Sequence, residues 1–157
     1  MIVADFRFFR MFCIQEKVSI LHQKHKCNAM KKEKLHIEYP LTATSKSIIW
    51  NAISTPSGLE SWFADKVNAV DKHFRFTWGK TETREAEVIN MRVFSFIRFH
   101  WLDEEEGKAY FEIKMIFNEL TGDYSLDITD FAEPGDADDL RTLWDSQIET
   151  LRRTCGM

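Results

Sequence analysis

Apolar residues alternate with polar ones in one segment after another between residues 34 and 129, and this two-residue period constrains the fold most strongly. In segment 74–78 every second residue is aromatic, and in segment 111–117 every second residue is Phe, Ile or Met. Because side chains point to opposite faces along a strand, each segment predicts a strand with one buried face. The short connections favour antiparallel pairing. The predicted strands cover 34–41, 66–70 (weakly), 74–78, 85–92, 94–101, 110–117 and 124–129.

Two short helices are predicted after the first strand. Apolar residues share one face of segment 45–54, Thr44 is suited to be its N-cap, and Pro56 ends it. The run Ser57-Gly58-Leu59-Glu60 has the spacing of a capping box. It predicts a second helix that continues through Trp62 and Phe63.

One long amphipathic helix is predicted at the C-terminal end. Acidic residues at 136–139 and basic residues at 152–153 suit the two ends of a helix dipole, and Gly156 suits its stop. The apolar stripe predicts four to five turns and consists of Leu140, Leu143, Trp144, Gln147, Ile148 and Leu151. The sequence therefore predicts an α+β fold. A curved antiparallel sheet of about six to seven strands carries this helix on its concave face, with the two short helices after the first strand.

Charge and cysteine usage narrow the class of protein. The net charge of −4 argues against a nucleic-acid partner, and the apolar runs are too short for a membrane span. Three cysteines without a CxxC pair indicate free thiols in a reducing compartment, so we expect a cytoplasmic protein. His22, His25 and Cys27 lack a fourth ligand at suitable spacing. We therefore expect neither a metal nor another cofactor.

Residues 1–29 differ from the rest of the chain. They carry a net charge of +3, while the whole chain carries −4, and they contain neither Gly nor Pro. We interpret them as an N-terminal appendage, either disordered or the product of a start site upstream of the natural one, since Met30 opens a typical domain. Residues 30–157 are predicted to form the folded domain.

Three stretches resemble the START-like (SRPBCC) superfamily, whose fold is called the helix-grip, and most closely its homologues of the heat-shock chaperone ATPase activator. They are the entry at 47–63 with its Trp62-Phe63 pair, the strand end Phe99-His100-Trp101, and the closing helix around Trp144. Lys72-His73 departs from the glycine that often precedes the aromatic strand in this family. The resemblance implies a cavity between sheet and long helix, without naming its ligand.

Large apolar side chains on the predicted concave face are the candidate ligand contacts. Apolar pockets with few polar groups are the usual form of a small-molecule site. The alternative is that the rings fill a solid core. The candidates are Trp62, Phe76, Trp78, Phe99, Trp101, Met115, Trp144 and Ile148.

The charged residues of the strands have structural interpretations. Arg98 and His100 share the face opposite the predicted core and are expected to face solvent. Glu112 is expected to pair with Arg98 across strands. Segment 103–106 is expected to be a solvated turn. No catalytic residues are therefore predicted.

Three functions remain open. The first is the binding of a hydrophobic or amphipathic small molecule, which needs a true cavity. The second is a protein-interaction or chaperone-regulator domain, with a filled interior and an exposed patch. The third is an enzyme of the cyclase or hydrolase kind, with perturbed ionisable groups in the cavity. The protein is expected to be a monomer or a homodimer.

Overall fold

A computed structural model of the chain describes residues 31–42, 45–104 and 109–156. Within these ranges the elements, in chain order, are β1 (Glu33–Pro40), α1 (Lys46–Ser54), α2 (Pro56–Glu60), β2 (Lys66–Val70), β3 (His73–Trp78), β4 (Glu82–Arg92), β5 (Phe96–Trp101), β6 (Phe111–Phe117), β7 (Tyr124–Ala132) and α3 (Ala137–Cys155). The predicted appendage, including His22, His25 and Cys27, lies outside the described residues.

All seven strands form one antiparallel sheet in the order β1-β7-β6-β5-β4-β3-β2. From β2 to β7 each strand pairs with the next one along the chain, as hairpin-length connections predict. The first strand instead pairs with the last, with Ile37 opposite Ile128. A register shift between Val88 and Asn90 interrupts the pairing of β4 with β5. Such bulges bend a strand and increase its twist.

The core lies between one face of this sheet and the helices. Trp144, Ile148 and Leu151 form the buried stripe of α3, and they pack with alternate residues of the strands such as Phe76 and Phe99. The predicted architecture is confirmed: an open antiparallel sheet with two short helices after β1 and a long C-terminal helix. The two-residue period of the strands and the helical period of α3 were sufficient for this prediction, because each element has a single buried face.

The starts of the two short helices differ from the predictions. The N-cap of α1 is Ser45, one residue after the predicted Thr44, which lies outside the described residues. The N-cap of α2 is Thr55, whose Oγ1 accepts a hydrogen bond from the Gly58 N–H, and Pro56 begins the helix. The predicted capping box is therefore wrong. Proline suits the first helical position because it has no N–H to satisfy there.

Glu60 also differs from its predicted role in the capping box. Its Oε2 accepts a hydrogen bond from the backbone N–H of Val67 over 3.0 Å. It therefore fixes the start of β2 instead of the start of α2. The helix α2 ends at Glu60 and does not continue through Phe63 as predicted.

The ends of α3 agree with the sequence. Asp138 and Asp139 lie in its first turn, and Arg152 and Arg153 lie in its last. Gly156 adopts the left-handed conformation, with φ of 68°, and its N–H donates to the carbonyl of Arg152. A left-handed residue after the last turn is the usual way in which an α-helix ends, and glycine adopts that conformation without steric cost.

Candidate ligand pocket

Aromatic rings fill the space between the sheet and α3. Phe99 and Phe111 stack with their centroids 4.8 Å apart, and Phe111 also contacts Trp101 at 4.9 Å. Phe63, which follows α2, meets Phe76 edge to face at 5.1 Å. These rings interdigitate as residues do in the interiors of close-packed proteins. The centre of the concave face is therefore a packed core.

A pocket of about 110 Å³ opens beside this core, between the end of α2, the end of β3 and the middle of α3. Trp62, Phe63 and Trp78 supply its aromatic side, and α3 supplies the other side. The lining consists of Glu60, Ser61, Trp62, Phe63, Ala64, Trp78, Leu143, Ser146, Gln147 and Thr150. This volume is smaller than the few hundred cubic ångströms of typical small-molecule sites.

Both indole N–H groups of the pocket donate to backbone carbonyls. Trp62 Nε1 donates to the carbonyl of Ala52 over 2.9 Å, and Trp78 Nε1 donates to that of Phe63 over 2.8 Å. Buried polar groups of this kind need partners, and these bonds fix how the two rings face the pocket. The pocket therefore presents indole surface rather than indole donors.

Gln147 is the polar side chain that α3 contributes to the buried face. It is only 9% exposed, and its Nε2 donates to the carbonyl of Phe63 over 3.3 Å. Its Oε1 is buried and has no hydrogen-bond partner among the described residues. The sequence did include Gln147 in the apolar stripe of the last helix, but not among the candidate site residues. A polar residue within an otherwise apolar helical stripe was the feature of the sequence that could have identified it as a site residue.

The predicted ligand contacts all lie in the buried core, but the structure divides them. Trp62 and Trp78 line the pocket. Phe76, Phe99 and Trp101 belong to the packed ring cluster of the sheet, and Met115, Trp144 and Ile148 are buried in the same core. Contact between any of these residues and a ligand stays a prediction. Leu143 and Phe63, which also line the pocket, were not among the candidates.

On the opposite face of β5, one expectation is confirmed and one is wrong. Arg98 pairs with Glu112 across the strands, with Nη2 and Oε2 2.7 Å apart, and its guanidinium lies over the ring of Tyr110. His100 does not face solvent as expected, because it is only 9% exposed and its Nδ1 lies 2.8 Å from the carbonyl of Ala109. The backbone of Ala109 thus lies against this ring.

Of the solvated turn expected at 103–106, the structure describes Asp103 and Glu104, and both side chains form ion pairs. Asp103 accepts two hydrogen bonds from Arg84, whose guanidinium lies 4.1 Å over the ring of Trp101. Glu104 pairs with Lys32 at 3.0 Å. Burial, the largest single effect, would lower the pKa of Lys32, but the hydrogen bonds and charges of Glu104 and Glu133 together outweigh it and raise this pKa. Arg84 therefore covers the ring of Trp101. The alternation of apolar and polar residues alone could not predict this contact.

In ranges 31–42, 45–104 and 109–156 no three His, Cys, Asp or Glu side chains are grouped to share a metal ion. Burial raises the pKa of the Cys155 thiol, and a hydrogen bond with Ser61 opposes this effect. A raised pKa disfavours the thiolate, which is the nucleophilic form of cysteine.

Comparison with known proteins decides the family. A family model described as a START-like superfamily domain matches residues 29–157. The chain belongs to the START-like superfamily. The solution NMR structure of BfR322 from Bacteroides fragilis is 66% identical and covers 82% of this chain and 94% of its own, with a TM-score of 0.59.

More distant solved structures share the START-like fold. The solution structure of the Aha1 dimer from Colwellia psychrerythraea is 15% identical, with a TM-score of 0.64, and covers 76% of this chain and 92% of its own. DynU16, from the dynemicin biosynthetic locus, is 16% identical with a TM-score of 0.62; the match covers 76% of this chain and 46% of DynU16. At such identities the likeness shows the fold alone. No curated protein matches this START-like chain.

The family assignment confirms the resemblance to the START-like superfamily that three short stretches of sequence indicated, while the closer likeness to homologues of the chaperone ATPase activator stays a prediction. It leaves the role of this START-like domain to its own residues, because one fold serves many functions. Among the residues that the structure describes, no helix is both long and apolar enough to cross a membrane.

Proposed function

We propose that this START-like domain binds a small hydrophobic or amphipathic molecule at the pocket between α2, β3 and α3. The observation that carries the proposal is the form of the lining. Indole and phenyl surfaces of Trp62, Phe63 and Trp78 lie beside a buried amide, and the indole donors are already satisfied. Apolar walls with few convergent polar groups are typical of small-molecule sites.

The volume limits what the pocket can hold. Because about 110 Å³ is below the usual range, the ligand is either a molecule of one small ring or the end of a longer amphipathic molecule. The packed rings of Phe99 and Phe111 occupy the space that a larger ligand would need. The proposal therefore places the ligand beside the core and not inside it.

Binding is favoured over catalysis by the ionisable content of the lining. Glu60 is the ionisable side chain among the described lining residues, and its carboxylate already accepts the Val67 N–H. General acid–base catalysis needs a group positioned and tuned to exchange a proton with the substrate. A binding role needs no such group.

Native mass spectrometry of the protein purified from the organism that encodes it tests the proposal. We expect an extra mass that disappears on denaturation. Ser146→Phe, which places a ring at the mouth of the pocket, should abolish it. Glu149→Phe places the same ring on an exposed part of α3 outside the lining and should retain it. An unchanged extra mass in Ser146→Phe would show that the ligand binds outside this pocket. A wild-type protein without any extra mass would favour the protein-interaction function instead.

A second function, protein interaction, is supported by exposed apolar side chains at one end of the sheet. The β4–β5 and β6–β7 hairpins project from the same end, because β5 and β6 are antiparallel neighbours. We define the apolar tip as Ile48, Val93, Phe94, Phe117 and Leu120, all exposed. Exposed apolar clusters often mark protein interfaces.

Phe94 is the most informative residue of the apolar tip. Its φ of 58° lies in the left-handed region, where a bulky side chain is uncommon and costs energy. This conformation places the ring 6.0 Å from Trp50 and 4.9 Å from the Lys46 ammonium, while 41% of the residue stays exposed. A strained aromatic residue at a hairpin turn suits an anchor for a partner.

The partner of the apolar tip is either a second copy of this chain or a different protein. Light scattering after size-exclusion chromatography separates these cases first, because it measures the oligomeric state. A dimer that Leu120→Asp converts to a monomer would identify the second copy as the partner. A monomer would direct the search to other proteins, by photocrosslinking from position 94. Crosslinking from Glu85, which is exposed on β4, is the control, and identical products from both positions would exclude the tip.

A further inference from the structure

The amide of Gln147 leaves one acceptor without a partner beside the pocket. Its Nε2 donates to the carbonyl of Phe63, while Oε1 is buried and accepts no hydrogen bond within the described structure. Buried acceptors are normally paired, and an unpaired one lowers stability. The orphaned oxygen therefore needs an explanation, and its place in the pocket lining suggests one.

The orientation of this amide follows from its neighbour. The oxygen of Phe63 is an acceptor, so the group that faces it must be the NH₂ of Gln147 and not its carbonyl. Turning the amide over would set two oxygens against each other. Oε1 is therefore the amide atom left for a ligand.

Four donors of the pocket lining are already committed. The indole N–H of Trp62 bonds to Ala52, and that of Trp78 bonds to the carbonyl of Phe63. The hydroxyl groups of Ser61 and Thr150 donate to the carbonyls of Gly58 and Ser146. No donor of the described residues pairs with Oε1 of Gln147, which leaves this oxygen for an N–H or O–H of the bound molecule.

We infer that the pocket selects molecules that carry a hydrogen-bond donor, a hydroxyl or an N–H, on a small apolar ring or chain. This inference rests on the proposed small-molecule function and names its ligand class. The apolar part packs on Trp62, Trp78 and Leu143, and the donor pairs with Oε1 of Gln147. A molecule of the same shape without a donor leaves that oxygen unpaired and binds more weakly.

Phenol and anisole are suitable probes, because they share a ring and an oxygen, which carries a proton in phenol and a methyl group in anisole; the Gln147→Met variant separates the effect of the proton from that of the methyl group. Each is titrated into the full-length protein, and amide and indole N–H chemical shifts are followed by NMR. We expect both to perturb Trp62 and Trp78, with phenol binding about fivefold to a hundredfold more tightly. Gln147→Met, which keeps the length of the side chain, should bind the two equally.

Ser146→Ala is the matched control, because it removes a hydroxyl from the lining and leaves the amide of Gln147 in place. It should keep the preference for phenol. Thermal melts establish that both variants are folded, and Gln147→Met is expected to fold because Trp78 still donates to the carbonyl of Phe63.

The outcomes separate this inference from the proposed function. Equal affinity for the two probes in the wild-type protein would overturn the inference and keep the pocket as a binding site. A preference for phenol that persists in Gln147→Met would also overturn it. If neither probe perturbs Trp62, Trp78 or Gln147, both the inference and the proposed binding of small molecules at this pocket fail.

Discussion

Trp144 Nε1 donates a hydrogen bond to Asp130 Oδ2 over 2.9 Å, and this bond joins α3 to β7 inside the core. Trp144 is 0% exposed and Asp130 is 6% exposed. The other oxygen of Asp130 accepts the N–H of Phe131. A buried carboxylate needs such donors, and the indole supplies one while its ring packs on Phe63 and Phe111.

Trp144→Ala is expected to lower the free energy of unfolding by about 3–5 kcal/mol, because it removes a fully buried ring from a packed core. Urea denaturation measures the change. Trp144→Phe keeps a ring but no donor and should cost about 1–3 kcal/mol, since it leaves an oxygen of Asp130 without that bond. A loss below about 1 kcal/mol for Trp144→Ala would mean that the ring borders empty space.

Gly58→Ala should destabilise the protein by about 1–3 kcal/mol, because a methyl group at this position has no room. A Cβ there would lie 2.8 Å from the Cα of Ala52 and would also meet the carbonyl of Asn51, and both contacts are with the backbone of α1. Thermal or urea unfolding tests this. Ser57→Ala, at the exposed neighbouring position, should change stability by no more than about 0.5 kcal/mol. Equal effects would contradict the close approach of the two helices.

The ion pair of Arg98 with Glu112 should contribute little. Both side chains keep some contact with solvent, which screens their attraction. A double-mutant cycle with Arg98→Gln and Glu112→Gln is expected to give a coupling free energy of about 1 kcal/mol or less, and added salt should decrease it. A coupling well above this value and insensitive to salt would show that the pair is effectively buried.

Tyr39 should make stability depend on pH in the alkaline range. Burial and then its 2.6 Å hydrogen bond to Asp145 raise the pKa of Tyr39 above the usual 10. Because the folded state favours the protonated phenol, this contribution is complete below pH 10 and is lost as the pH rises toward the raised value.

Urea unfolding at a series of pH values measures this dependence. Tyr39→Phe should flatten the decline in unfolding free energy above pH 10, whereas Ser57→Ala, which removes no titratable group, should leave the decline unchanged. Identical curves for wild type and Tyr39→Phe would contradict the assigned role.

The sequence by itself determined the elements of this protein and their order. Alternation predicted the seven strands, and the stripe through Trp144 and Ile148 predicted the closing helix, because each element carries its periodicity in its own residues. The three family stretches then predicted the superfamily that the whole domain confirms.

Only the tertiary structure decided which distant residues the side chains of those elements contact. His100 lies against the carbonyl of Ala109, nine positions later, and the rings of Phe99 and Phe111 meet because β5 pairs with β6. Gln147 bonds to Phe63, 84 positions earlier in the chain. The pocket therefore exists only where α2, β3 and α3 converge, since a local pattern shows which face is buried but not which distant atoms it meets.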